Sequence, residues 1–308
     1  MRSMTRRQFL ARTAAAAGLA GVASRAPADP LGLPIGLQLY TVREQLGKDF
    51  DGTLKQVAAV GYKEVELFSL LGRKAKAVRE SLDAAGLRCV SAHYQLADLQ
   101  GDLGPKIEQA RELGLTFMVC PFPGIADPRR IKPANRNPLD QIRAMVNALT
   151  ADDWKWNAEV LNKAGEQAKK AGLQVCYHNH HLEFKKYDGV TALELLLRHT
   201  DKELVKVELD CGWVHVAGES PADFIARHEG RVALLHIKDV KEGFKPTTDF
   251  GPVPFTEVGR GVIDWTKVFA AAKKTQVKRY YVEQDTTERP PLEAIKISRD
   301  YLHDLRVS

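Results

Sequence analysis

Short apolar runs rich in β-branched residues alternate along this chain with longer amphipathic stretches, in which Ala and Leu recur every three or four positions among Lys, Glu and Gln. The first pattern suits strands buried on both faces, and the second suits helices that bury one stripe. Strands are predicted over residues 35–40, 63–68, 88–94, 116–121, 174–180, 205–210, 232–238 and 279–284. Helices are predicted between them, among others over 53–60, 75–85, 105–113, 153–171 and 221–228. Gly61, Gly86, Gly114 and Gly172 each close a helical stretch, where the left-handed residue after a helix favours glycine. Helix, glycine, one or two residues and strand thus recur as a weak repeat of βα units. Eight strands, each followed by a helix, predict an α/β fold of one domain, a (β/α)8 TIM barrel rather than an open sheet. Residues 122–150, with Pro123, Pro128, Pro133 and Pro138, and residues 241–261 read as long loops. Both follow strands and so overhang the C-terminal mouth, where barrel active sites form.

The barrel pattern begins only near Asp29. Ahead of it, Thr5-Arg6-Arg7-Gln8-Phe9-Leu10 precedes a weakly apolar run over residues 14–23 and the small-x-small triplet Ala26-Pro27-Ala28. This order resembles a bacterial twin-arginine export signal with its cleavage site. Residues 1–28 are therefore read as a signal peptide and 29–308 as the barrel, with the twin-arginine export machinery as partner and the periplasm as destination. The apolar run is too short for a permanent membrane anchor.

That division changes the charge. The chain carries a formal +6, to which Arg2, Arg6, Arg7, Arg12 and Arg25 contribute five, and no acid precedes Asp29. The body is left near neutral, without a Lys/Arg stripe, which removes any electrostatic case for nucleic acid. Cys89, Cys120, Cys176 and Cys211 show no Cys-x-x-Cys spacing and sit in apolar segments, which predicts buried free thiols.

Residues two apart on a strand share a face, so strand ends can be read for convergence. They carry Gln38 with Tyr40, Glu64 with Glu66, His93, Cys120, His178 with His180, Glu208 with Asp210, His236 with Lys238, and Glu283. A lone Asp or His at a strand end is more often a hydrogen-bonded structural group. Four successive strands ending in His, Asp, His and Glu are different, because gathered carboxylates repel unless a cation lies among them. Carboxylates mixed with imidazoles suit one divalent metal of intermediate hardness, Mn²⁺ first, with Co²⁺ or Zn²⁺ as alternatives.

The segments Tyr177-His178-Asn179-His180-His181-Leu182-Glu183-Phe184, Leu209-Asp210-Cys211-Gly212-Trp213, Leu235-His236-Ile237-Lys238-Asp239 and Val282-Glu283-Gln284-Asp285 belong together with Val258-Gly259-Arg260-Gly261-Val262-Ile263-Asp264-Trp265. As a set they resemble the xylose-isomerase-like barrel superfamily of sugar isomerases and epimerases, over nearly all of 29–308. The resemblance implies a metal held from strands five to eight, by Asp210, His236 and Glu283. Strand five departs from the family's usual Glu: His178 stands there, and Glu183, five residues on, is the alternative ligand. The superfamily's zinc endonuclease branch requires a histidine three residues after the sixth-strand Asp, where this chain has Trp213.

Such a metal would promote proton transfer beside a carbonyl through an enediolate. Glu283, Glu183 or His180 could serve as base, and Lys238 could face a developing oxyanion or form a salt bridge to Asp239 or Glu208. Glu66, His93, Trp213 and His215 read as substrate-binding groups, Trp213 as an aromatic wall and His215 at the rim. The last strands lack a Gly-rich phosphate turn, which favours a neutral sugar or 3-keto-glycoside that is epimerised, isomerised or cleaved by β-elimination. The competing class is a non-catalytic periplasmic sugar-binding protein on the same scaffold, which would keep the wall and lose the ligands. A homo-oligomer is compatible with either.

Overall fold

The computed structural model describes residues 29–132 and 137–307, so the segment read as a signal peptide lies outside the described residues. Eight parallel strands close into a barrel: β1 (Gly36–Gln38), β2 (Glu64–Leu67), β3 (Arg88–His93), β4 (Phe117–Cys120), β5 (Gln174–His178), β6 (Val205–Asp210), β7 (Val232–Ile237) and β8 (Arg279–Val282). Neighbours pair in chain order, and β8 closes on β1. A helix follows each strand: α1 (Phe50–Val60), α2 (Ala75–Ala85), α3 (Gly104–Leu113), α4 (Ala151–Lys170), α5 (Ala192–His199), α6 (Pro221–Arg227), α7 (Trp265–Lys273) and α8 (Pro291–Asp304). The expected barrel is the observed one.

Local chemistry explains the elements. In α2, Ala75, Val78 and Leu82 are buried on one stripe, and Gly86 ends the helix at φ 70°. Thr150 and Asp153 cap α4 reciprocally. All strands but β6 stop one or two residues before their predicted ends, because the chain turns outward there into the mouth loops. After β1 it enters a 3₁₀ turn, Leu39–Val42.

The stretch 122–150 is a correction to the loop expected there. It holds a 3₁₀ turn, Pro128–Arg130, and an extra helix, Pro138–Ala148, which starts on proline where the missing N–H costs nothing. The second excursion is pinned at its base by antiparallel pairing of Asp239–Val240 with Phe255–Thr256.

The two ends of the barrel differ in charge. Glu64, read from sequence among the mouth residues, starts β2 instead and lies at the bottom, paired with both Arg88 and Arg279. Apart from the main core, Phe117, Val119, Cys176, Ala233 and Leu234 form a small apolar cluster of their own. The C-terminal mouth carries the acids and histidines. The four cysteines are buried and free, as expected.

Candidate metal centre

Register decides which strand ends meet. His178 pairs with Glu208 across β5 and β6, Asp210 pairs with His236 across β6 and β7, and Gln38 pairs with Glu66 across β1 and β2. Two overlapping donor sets result among the described residues. His178, Asp210, His236 and Glu283 form one, and His93, His178, Glu208 and His236 form the other. In each set the ligating atoms lie within 4.8 Å of one another. Glu208 precedes Asp210 by two on the same strand, so the second set lies one layer below the mouth.

In the upper set, His236 Nδ1 lies 2.9 Å from Glu283 Oε2 and 3.8 Å from Asp210 Oδ2. His178 Nε2 is 3.9 Å from Asp210 Oδ2. Lys238 reaches the same carboxylates, its Nζ lying 2.8 Å from Glu283 Oε2 and 3.0 Å from Asp210 Oδ2. It also donates to both oxygens of Asp285, at 3.0 and 3.1 Å. The lysine is fully buried and sits 5.1 Å from the ring centres of both Trp213 and Phe255.

The salt bridge expected for Lys238 therefore has other partners than Asp239 and Glu208. Asp239 points elsewhere. Its carboxylate accepts from the backbone of Val240, Gly259, Gly261 and Ile263 and from the Trp265 indole.

Electrostatics follow from crowding. Burial disfavours the charge on Glu283, but Lys238 and His236 outweigh it and hold the carboxyl well below the usual range. Burial likewise works against a charged Lys238, which Asp210, Asp285 and Glu283 hold strongly protonated. Below, burial opposes the charge on His93, yet Glu66 and Glu208 push its pKa up to about 9. Glu208 is pushed up to about 8 by burial and by Glu66. His178 is driven far below the usual imidazole range by burial and by neighbouring His236. It is a neutral ring, as a ligand must be.

The remaining predicted residues divide clearly. Glu66 and His93 join the cluster from β2 and β3, 3.1 Å apart. Glu183 is buried but engaged behind the strand: Tyr177 Oη donates to one oxygen at 2.7 Å and the His180 amide to the other at 2.8 Å. Tyr177 alternates with His178 and faces Trp154 of α4, so Glu183 ties down the loop on the outer side of β5. It is His178, not Glu183, that the structure brings among the donors.

His180 lies nearby, its ring stacked 4.2 Å from Phe122 and 5.0 Å from His178. Burial and Lys238 keep it neutral, and its Nδ1 is buried without a hydrogen-bond partner. Trp213 forms a wall with His181, stacked at 4.6 Å, and with Phe255 edge-on at 4.9 Å. His215 is half-buried and feels Asp239 rather than the donor sets. Two participants were not singled out from sequence, Glu208 and Asp285. Glu208 was legible as sharing a face with Asp210, but its partners come from β3, β5 and β7.

Comparison with known proteins agrees with this fold. The family model described as xylose isomerase-like TIM barrel matches residues 54–305. An inosose dehydratase of Clostridium beijerinckii is 23% identical over 283 residues, covering 84% of this chain and 91% of that protein. The crystal structure of a sugar phosphate isomerase/epimerase from Parabacteroides distasonis superposes with a TM-score of 0.67 and 27% identity, over 92% of this chain and 96% of that one. The IOLI protein, solved with a bound zinc atom, shares the fold at a TM-score of 0.58 and 13% identity, over 87% and 96% of the two chains.

Proposed function

The chain belongs to the xylose isomerase-like TIM-barrel family, and on that premise we propose a divalent-metal-dependent enzyme that removes a proton beside a carbonyl of a non-phosphorylated sugar or keto-glycoside. The outcome is epimerisation, isomerisation or β-elimination. The observation that carries this reading is the convergence of His178, Asp210, His236 and Glu283 at the mouth.

The donor set fits a metal. Two imidazoles and two carboxylates, all buried, are the chemistry Mn²⁺, Co²⁺ and Zn²⁺ prefer. Glu66, Glu208, Asp210 and Glu283 are buried together, and Glu208 Oε1 lacks any hydrogen-bond partner. Protons on Glu208 and His93 relieve this crowding, and a divalent ion can take their place. When bound, a divalent ion supplies Lewis acidity, which polarises a carbonyl and its neighbouring hydroxyl.

The chain's own residues supply the rest. His180, neutral and with a free Nδ1, can take up and return a proton at the mouth. Lys238, kept charged by three carboxylates, presents positive charge to an oxygen that becomes anionic. Trp213, Phe255 and His181 pack into an aromatic wall beside Lys238. Because Lys238 is already shared, the site favours a neutral sugar over a sugar phosphate. The dehydratase names of the curated relatives fit the elimination branch.

The test combines metal and proton. Asp210→Ala, His236→Ala and Glu283→Ala should each lose stoichiometric Mn²⁺, Co²⁺ or Zn²⁺ while circular dichroism shows an intact barrel, since mouth residues contribute function more than packing. In deuterium oxide, the metal-loaded wild type should place deuterium next to the carbonyl of a ketose, an inosose or a 3-keto-glycoside, or eliminate its β-substituent. A loaded enzyme that does neither on the whole panel, yet binds the sugars, would leave a sugar-binding protein instead.

A further inference from the structure

Two carboxylates have no task in the reaction above, although they are among the most deeply buried acids of the barrel: Glu66 and Glu208. Glu208 Oε2 lies 3.1 Å from His178 Nδ1, 3.2 Å from His236 Nε2 and 3.2 Å from His93 Nε2. Glu66 Oε1 lies 2.8 Å from His236 Nε2 and accepts from Gln38 Nε2 at 2.7 Å, while its other oxygen accepts from the Ser91 hydroxyl.

Both glutamates follow a break in strand register. An extra residue on the neighbouring strand, Val90 of β3 or Ala233 of β7, shifts the pairing between Val65 and Glu66 and between Val207 and Glu208. Bulges of this kind re-aim side chains and recur next to active sites. Here they seat one carboxylate under each of the two histidines that face the mouth.

With a divalent ion in the upper set, a ligating imidazole keeps one N–H and the carboxylate beneath it is favoured in the ionised form, which can only accept. A carboxylate at one ring nitrogen therefore draws the proton there and leaves the lone pair on the other. In His178 the other nitrogen is Nε2, which faces Asp210 at 3.9 Å. His236 has carboxylates at both nitrogens, Glu66 2.8 Å from Nε2 and Glu283 2.9 Å from Nδ1, so an ion held together with Glu283 would take Nδ1 and leave the proton on Nε2. Both lone pairs then point at the mouth.

We propose that Glu208, assisted by Glu66, is a positioning residue for the metal: it sets His178 as the Nδ1–H tautomer and His236 as the Nε2–H tautomer, so that both rings offer their mouth-side nitrogen to the ion. The inference rests on the metal reading above and adds to it the device that makes His178 the fifth-strand ligand. His178 and Glu208 are direct register partners, so a histidine at this position has its orienting carboxylate on the next strand.

The experiment uses the full chain and Zn²⁺, which is diamagnetic. In the zinc-loaded wild type, imidazole ¹⁵N spectra should show His178 bound through Nε2 with Nδ1 protonated, and His236 bound through Nδ1 with Nε2 protonated. Glu208→Gln keeps the shape and removes the charge. It should weaken Zn²⁺ binding about 10- to 100-fold in chelator competition and alter the His178 pattern. Glu66→Gln should weaken binding less and alter His236 alone, which keeps the idea testable if the Glu208 variant does not fold. Glu208→Asp, charged but shorter, should recover part of the loss. Unchanged affinity and unchanged spectra in folded Glu208→Gln and Glu66→Gln overturn the proposal. So does a second Zn²⁺ per chain that these variants lose, since the lower carboxylates would then be ligands themselves. None of these readouts needs a substrate. A wild type that is inert on every sugar but behaves as described fails the proposed reaction alone, whereas one that binds no divalent ion overturns both.

Discussion

Glu183 accepts the Tyr177 hydroxyl and the His180 amide, and burial pushes its carboxyl up to about 7. A carboxyl raised in the folded chain holds its proton more tightly there than in the unfolded chain. Its contribution to stability is fully present below about pH 4.5 and is lost as pH rises through about 7. Glu183→Gln can keep both hydrogen bonds, its carbonyl accepting from His180 and its amide donating to Tyr177. This variant should therefore retain metal and escape that loss, gaining stability over wild type at about pH 8 but not at about pH 5 in urea unfolding. Glu183→Ala breaks both bonds, and it should keep metal while turnover falls because His180 is released. Metal lost from Glu183→Ala would make Glu183 a ligand and overturn the placement.

At the scale of elements, the arrangement of the segment 258–265 has a structural cause in Asp239. One buried carboxylate gathers the N–H groups of Gly259, Gly261 and Ile263 and the Trp265 indole, and so fastens the loop before α7 to the end of β7. Glycine is required at 261 because a Cβ there would run into the Asp239 carboxylate and the Val240 carbonyl. The arrangement also holds Lys238, one residue earlier, with its side chain turned into the mouth. Asp239→Asn replaces an acceptor by a donor among these N–H groups. Leaving two or three of them unsatisfied should cost roughly 3 kcal/mol or more in urea unfolding. A loss below about 1 kcal/mol would show that the loop is held by other contacts.

For the molecule as a whole, the balance of charge depends on where the mature chain begins. With residues 1–28 removed, five arginines are lost and a near-neutral barrel remains. Among the described residues no helix is long and apolar enough to cross a membrane. We propose that the barrel is exported by the twin-arginine route, which carries folded proteins and so allows metal loading beforehand. Arg6→Lys with Arg7→Lys should leave the precursor in the cytoplasm on cell fractionation. Export at the wild-type rate would show that these arginines are not the signal.

The sequence by itself determined the order of strands and helices, the barrel that this order implies, and most of the residues at the mouth. These are local properties: a period of two or 3.6 is legible in a few turns of chain, glycine marks helix ends, and alternation says which side chains at a strand end point inward. The helix Pro138–Ala148 escaped because several prolines in that stretch read as loop, although proline in the first turn is compatible with a helix. What only the tertiary structure decided is which of those residues meet. Asp210, His236 and Glu283 were legible as ends of consecutive strands. The choice of His178 over Glu183, the pairing of Lys238 with Asp285, and the place of Glu208 beneath three imidazoles all depend on register between strands far apart in sequence. Register is a long-range quantity, and a slip of one residue turns every side chain of a strand to the other face. The bulges that set Glu66 and Glu208 are such local slips, selected by packing around the closed barrel, where no short stretch of sequence could reveal them.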